Sequence, residues 1–151
     1  MPHRRTVLLA PLLLVARCAA PPPQPPTLAL TIHAGADQNP DPAGRPTPVA
    51  IRIYQLAALG AFERADVYTL MDREAEALGA DRLASDEIIV AQGATHTQVM
   101  DLKPNTRFIG AVALFRAIDR ATWRVHVPAA PNGPTRLTLV TSGLQLTVSP
   151  S

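Results

Sequence analysis

Cysteine is nearly absent from this 151-residue chain, with Cys18 the only one. A single thiol excludes an intramolecular disulfide, so any exported domain must be held together by its core. Aromatic residues are also scarce, at one Trp, two Tyr and three Phe. That is little material for the aromatic platform of a carbohydrate-binding surface or the lining of a deep ligand pocket. Lysine occurs once, at Lys103, and no basic run exists in the chain, which speaks against nucleic-acid binding. No glycine-rich phosphate loop is present.

Catalytic and metal-binding patterns are missing too. His33, His96 and His126 lack the spacing of a metal site and fall on alternating strand positions. Ser85 and Ser142 stand outside any GxSxG turn, and Glu74 and Glu76 sit on what reads as a solvated helix face. In "DQNPD", Asp37, Asn39 and Asp41 alternate as in a calcium loop, but Pro42 and Pro48 occupy the positions that need Gly and Glu. Asx turns are the expected use of Asn39-Pro40 and Asp41-Pro42. No catalytic residue, metal site or cofactor is expected, and the chain reads as a non-enzyme.

What the chain does have begins at its N-terminus. "MPHRRT" is basic, and "VLLAPLLLVA" is an apolar stretch of secretory length, too short to span a bilayer. The segment around the cysteine resembles a bacterial lipobox, with Leu14, Val15 and Ala16 before Cys18 and small Ala19 and Ala20 after it. Arg17 departs from that pattern, which places a small residue before the cysteine. Residues 1–17 therefore read as a lipoprotein signal peptide, and Cys18 as the site of a covalent acyl and diacylglycerol modification. An ordinary signal peptide with an incidental cysteine is the competing reading. Two or three acyl chains anchor a protein stably, at about 0.8 kcal/mol per buried methylene. Ala19 in place of Asp favours the outer membrane.

The leader also accounts for the basic sequence pI of about 9.2. Three of the 14 basic residues (Arg4, Arg5 and Arg17) belong to it, which leaves 11 basic against 12 acidic residues and a mature net charge of −1. Residues 18–26, ending in "PPPQPP", form a proline-rich tether with a reach of about 3.1 Å per residue. Residues 27–151 have the length of one domain.

Within that domain, "TLALTIHA" and "VAIRIYQL" alternate apolar and polar residues at the period of a half-buried strand. "DEIIVAQ", "THTQVMDL", "RFIGAVALF", "TWRVHVP", "TRLTLVT" and "LQLTV" follow the same habit. About eight strands without intervening helices exclude a doubly wound parallel sheet and predict a mainly β, two-sheet β-sandwich. The exception, "FERADVYTLMDREAEALGADRL", places Val67, Leu70, Met71, Ala75 and Leu78 at helical spacing, with Asp66 as N-cap and Gly79 as stop. It predicts a small helical insertion between strands 2 and 3, either a lid over an open end of the sandwich or a binding element. "GADQNPDPAGRPTP" joins the first two strands with four prolines and two glycines, the kind of stiff loop that presents binding residues. Trp123 reads as a core plug.

In order, "NPDPAGRPTPVAIRIYQL", "FERADVYTLMD", "LGADRL", "FIGAVALFR" and "ATWRV" closely resemble the TssJ lipoproteins of the bacterial type VI secretion system, also called SciN- or VasD-like. The resemblance implies a transthyretin-like β-sandwich, lipid-anchored on the periplasmic face of the outer membrane. It also implies binding to the C-terminal periplasmic region of the inner-membrane protein TssM, in a complex that includes TssL. Carried onto this chain, the contact loop falls on Gln38, Asn39, Pro40, Asp41, Pro42, Ala43, Gly44, Arg45 and Pro46. An exported ligand- or carbohydrate-binding sandwich is the alternative, and a periplasmic hydrolase a more distant one; neither a small-molecule substrate nor nucleic acid is expected.

Overall fold

The computed structural model describes Met1 and residues 18–149. The expected leader over residues 1–17 lies, Met1 apart, outside the described residues. Alternating side chains build eight strands among those described: β1 (Thr27–Ala34), β2 (Val49–Leu56), β3 (Arg82–Val90), β4 (Thr95–Asp101), β5 (Phe108–Leu114), β6 (Arg124–Pro128), β7 (Pro134–Ser142) and β8 (Gln145–Val148). They form two four-stranded sheets in the orders β4-β1-β7-β8 and β3-β2-β5-β6, the expected two-sheet sandwich.

Register follows from burial. On the first sheet Leu28, Leu30 and Ile32 point inward beside Thr135, Leu137 and Leu139 of β7. On the second, Ile51 and Ile53 face the same core beside Ala113 and Ala111 of β5 and Ile88 of β3. A slip of one residue would turn each of these sets outward. All the strand pairings are antiparallel except β1 with β7, a parallel pair between strands far apart in sequence.

The chain enters at one end of the sandwich, termed basal. There the Gln24 carbonyl accepts from Gly133 N at 3.1 Å and the Pro26 carbonyl from Leu102 N at 3.1 Å. The proline-rich segment is thus already fastened at Gln24, and its unfastened part, residues 18–23, reaches about 20 Å. β1 then crosses to the opposite, apical end, about 25 Å away at strand rise.

The insertion between β2 and β3 forms three short helices among the described residues: α1 (Gly60–Arg64), α2 (Val67–Asp72) and α3 (Glu74–Leu78). Asp66 caps α2 as expected, accepting from Thr69 N at 2.9 Å, and Gly79 ends α3 at φ +53°. Contrary to the lid reading, the helices cover the outer face of the β3-β2-β5-β6 sheet and not an open end. Phe62 sits over Gly110, where a Cβ would come within 2.7 Å of the ring, and stacks at a tilt 5.6 Å from Tyr54.

Helices of five or six residues are unstable alone, so the sheet must hold them. It does so through two arginines that satisfy carbonyls at helix ends. Arg52 Nη1 donates to the Leu70 carbonyl at 2.8 Å, and Arg124 Nη1 donates to those of Phe62 and Ala65 at 2.7 and 2.8 Å. Trp123 is a half-buried neighbour of the core, under the Arg124 guanidinium at 4.6 Å, and not a central plug.

Beneath this cover the Tyr54 hydroxyl is buried with no hydrogen-bond partner among the described residues. Burial pushes its pKa above the ordinary tyrosine value of 10.0; Glu74 adds to the push and nearby Arg52 opposes it. The neutral phenol is therefore the form the folded protein favours. Its contribution to stability is complete below the ordinary value and is lost as pH rises through the raised one. Tyr54→Phe should equal or exceed wild type in thermal stability at neutral pH, by up to about 1 kcal/mol. The advantage should grow above about pH 10, where the wild type must ionise a buried group. A neutral-pH loss of more than about 1 kcal/mol in thermal denaturation would contradict the orphaned hydroxyl.

Candidate functional site

Four connections meet at the apical end: the β1–β2 loop (residues 35–48), the β3–β4 turn, the β5–β6 segment (residues 115–123) and the β7–β8 turn. Gly35 starts the loop where no side chain fits, since a Cβ there would overlap the Thr141 carbonyl and come within 2.7 Å of Asp37 Oδ1.

Gln38 and Asn39, expected at the partner surface, are instead buried. The Gln38 side chain donates to the Val90 carbonyl at 2.8 Å and accepts from the Thr141 hydroxyl. Asn39, at φ +50°, donates through Nδ2 to the Pro48 carbonyl at 2.7 Å and accepts at Oδ1 from Arg116 N at 2.8 Å. These two amides are internal ties. Their burial corrects the expectation that Asn39 is displayed to a partner.

Pro40, Asp41 and Pro46 are half-buried, and Pro42, Ala43, Gly44 and Arg45 form the exposed tip. Asp41 shapes that tip as the expected Asx turn. Its Oδ1 accepts from Ala43 N and Arg45 N, each at 2.9 Å, and its Oδ2 accepts from Arg45 Nε at 2.9 Å. The Arg45 backbone N–H first, then its guanidinium and the Ala43 N–H, hold the Asp41 pKa below the ordinary carboxylate value. This contribution to the turn is present above that value and lost as pH falls through the lowered one.

The same end holds residues that the sequence reading passed over. Arg116, Ala117 and Arg120, in the β5–β6 segment, line concavities shared with Pro40–Pro42 on one side and with Tyr68 and Met71 of α2 on the other. The signal in the sequence was "FRAIDR", a strand end followed by two arginines, which only folding brings beside the loop.

Elsewhere, His33 contacts Thr95, His96 contacts Gln98, and His126 lies 3.2 Å from Glu63. The described residues hold no cluster of three metal-ligating side chains. Ser142 donates to Asp37 at 3.1 Å. Cys18 is exposed, six residues ahead of the first fastening at Gln24. No described helix is long and apolar enough to cross a membrane.

A two-sheet sandwich entered from one end, with a stiffened loop tied down at the other, is the build of a scaffold that presents a surface. The chain belongs to the type VI secretion lipoprotein family of VasD, EvfM and TssJ, whose model matches residues 26–150. This is a family of secretion-system lipoproteins and not of enzymes. Among solved structures, the type VI lipoprotein TssJ1 of Pseudomonas aeruginosa is 30% identical with a TM-score of 0.77, over 86% of this chain and 99% of that one. A chain of a structure described as a type VI membrane complex is 33% identical with a TM-score of 0.76, over 84% of this chain and 100% of that one. A chain of the structure described as the T6SS protein TssM C-terminal domain from EAEC is 30% identical with a TM-score of 0.70, over 83% of this chain and 99% of that one. No curated protein matches.

Asn39→Ala removes two internal hydrogen bonds and leaves the Pro48 carbonyl and the Arg116 N–H without their partners. It should lower stability by about 2–3 kcal/mol and speed proteolysis within residues 35–48. Denaturant unfolding with limited proteolysis checks this; an unchanged midpoint would mean that the amide ties nothing.

Proposed function

We propose that this TssJ-family protein is a lipid-anchored adaptor on the periplasmic face of the outer membrane, binding the periplasmic C-terminal region of TssM in a complex that includes TssL. Residues 1–17 are its signal peptide, Cys18 carries the acyl and diacylglycerol groups, residues 18–26 are the tether, and residues 27–151 form the binding domain. The observation that carries the reading is the polarity of the scaffold. The tether is fastened at the basal end through Gln24 and Pro26, and the proline-stiffened loop stands at the apical end. An anchor in the leaflet turns that loop away from the membrane. The 30%-identical chain in a structure described by a TssM C-terminal domain supports the choice of partner.

Stiffness favours the loop as a contact. Pro40, Pro42, Pro46 and Pro48, with the Asp41 turn, leave little conformational entropy to lose on binding. The contact is narrowed from residues 38–46 to the exposed tip Pro42–Arg45, because Gln38 and Asn39 are buried and bonded inside and Pro40, Asp41 and Pro46 are half-buried.

Two outcomes test the proposal. Intact-mass analysis of the mature protein should find Cys18 as an acylated N-terminal residue, and Cys18→Ser should move the chain from the membrane fraction to the soluble periplasm; an unmodified thiol would remove the anchor. Replacing Pro42–Arg45 by a Gly/Ser segment should weaken capture of the TssM periplasmic region about tenfold or more with the unfolding midpoint unchanged. Undiminished capture would take the tip out of the interface.

A further inference from the structure

The exposed tip is small. A stable protein–protein contact covers about 800 Å² and 20–30 residues on each side, and Pro42–Arg45 offers four residues. If this end binds TssM, the contact must spread onto a neighbouring surface. The concave neighbour consists of two adjoining hollows of about 700 and 350 Å³, which share Arg116, Ala117 and Arg120.

One bank of this groove is Pro40–Pro42 and the other is α2, which contributes Tyr68 and Met71. These are two of the few large apolar side chains left exposed in the described structure, at 54% and 42%. The floor is basic. Arg116 and Arg120 are both exposed, and neither guanidinium has a carboxylate partner among the described residues. Of the groove's two carboxylates, Asp41 is paired with Arg45 at 2.9 Å and is also drawn electrostatically to Arg116, while Asp119 accepts from the Tyr68 hydroxyl at 2.9 Å and keeps its charge, so the two guanidiniums of the floor leave a net positive balance. The mature chain has a net charge of −1, so this unpaired positive charge is local and not a general property of its surface.

We infer that the groove between the β1–β2 loop and α2 is a second docking surface, which takes an acidic segment of TssM. The segment sets carboxylates on Arg116 and Arg120 and a large apolar side chain against Tyr68 and Met71. Charge complementarity selects the occupant: two guanidiniums without a salt-bridge partner favour carboxylates, and the apolar bank beside them gives that segment something to bury. The loop tip and α2 then clasp the segment from opposite sides. This assigns the helical insertion a binding role in addition to covering the sheet. The inference rests on the TssM reading above and extends it.

The test uses the full-length chain in detergent, with the purified TssM periplasmic C-terminal region from the same bacterium as probe. Four variants are compared with wild type: the double reversal R116E/R120E, the neutral double R116Q/R120Q, M71D on the apolar bank, and V99D at an exposed site on the other sheet. Binding should weaken about tenfold or more in R116E/R120E and in M71D, less in R116Q/R120Q, and not in V99D. Wild-type affinity should fall as salt rises, and R116Q/R120Q should lose much of that dependence. Wild-type binding with the groove variants unaffected overturns the groove and leaves the TssM reading standing. No binding by wild type overturns both. Unfolding midpoints within those of wild type exclude misfolding as the cause of any loss, since every changed residue is exposed.

Discussion

Two consecutive carboxamides, Gln38 and Asn39, hold the apical end together. Each is a loop residue placed inside the protein, where an unpaired amide group is costly to bury. Both are satisfied by groups spread over the fold: Val90 on β3, Thr141 on β7, Arg116 after β5, and Pro48 at the loop's own end, just before β2. The loop between β1 and β2 is therefore a bracket spanning both sheets. Its exposed tip inherits rigidity from buried polar bonds and prolines, and the position of Arg116 relative to that tip is fixed by the same side chain of Asn39.

A second constraint acts on the outer face of the β3-β2-β5-β6 sheet. An antiparallel sheet with one solvated face would alternate simply, but β2 has Tyr54 and Leu56 buried on the face opposite the core. The helical insertion covers them. Gly110 makes the socket for Phe62, while Arg52 and Arg124 hold helix-end carbonyls with guanidiniums that remain charged and hydrogen-bonded. The cover also sets where Tyr68 and Met71 lie, so packing at the sheet determines the bank of the apical groove.

Much of the fold was legible in the sequence because period-two alternation is a local signal. Leu28, Leu30 and Ile32 declare which face of β1 is buried, and Asp66 and Gly79 declare where α2 starts and α3 ends, while α1 (Gly60–Arg64) lies ahead of both. The helical phase was less legible. Met71 was expected on the buried stripe but is exposed, because α2 turns Val67 and Leu70 inward and leaves Met71 at the edge of that face; Ala75 is exposed because Arg73 at φ −138° interrupts the helix and resets its phase, leaving Ala77 and Leu78 to pack inward. The site was legible as a proline-rich loop but not in its orientation. A polar residue among prolines reads as exposed, and although Pro48 is close in the chain, nothing nearby reveals that the other partners of Gln38 and Asn39 lie 52, 103 and 77 residues away.

The remaining step concerns how force would pass through such a scaffold on the proposed function. An anchor pulls at the start of β1 and a partner holds the loop at its end, so tension runs along one strand. β1 is central in its sheet, paired along its length with β4 on one side and β7 on the other. Its ladder bonds lie across the direction of pull. They are loaded together in shear and cannot be opened one at a time, as they would be if both ends of the load met at an edge strand. Placing the tether before a central strand and the contact loop directly after it gives the shortest covalent route from membrane to partner. It also places the hydrogen bonds of two ladders against extraction of that route.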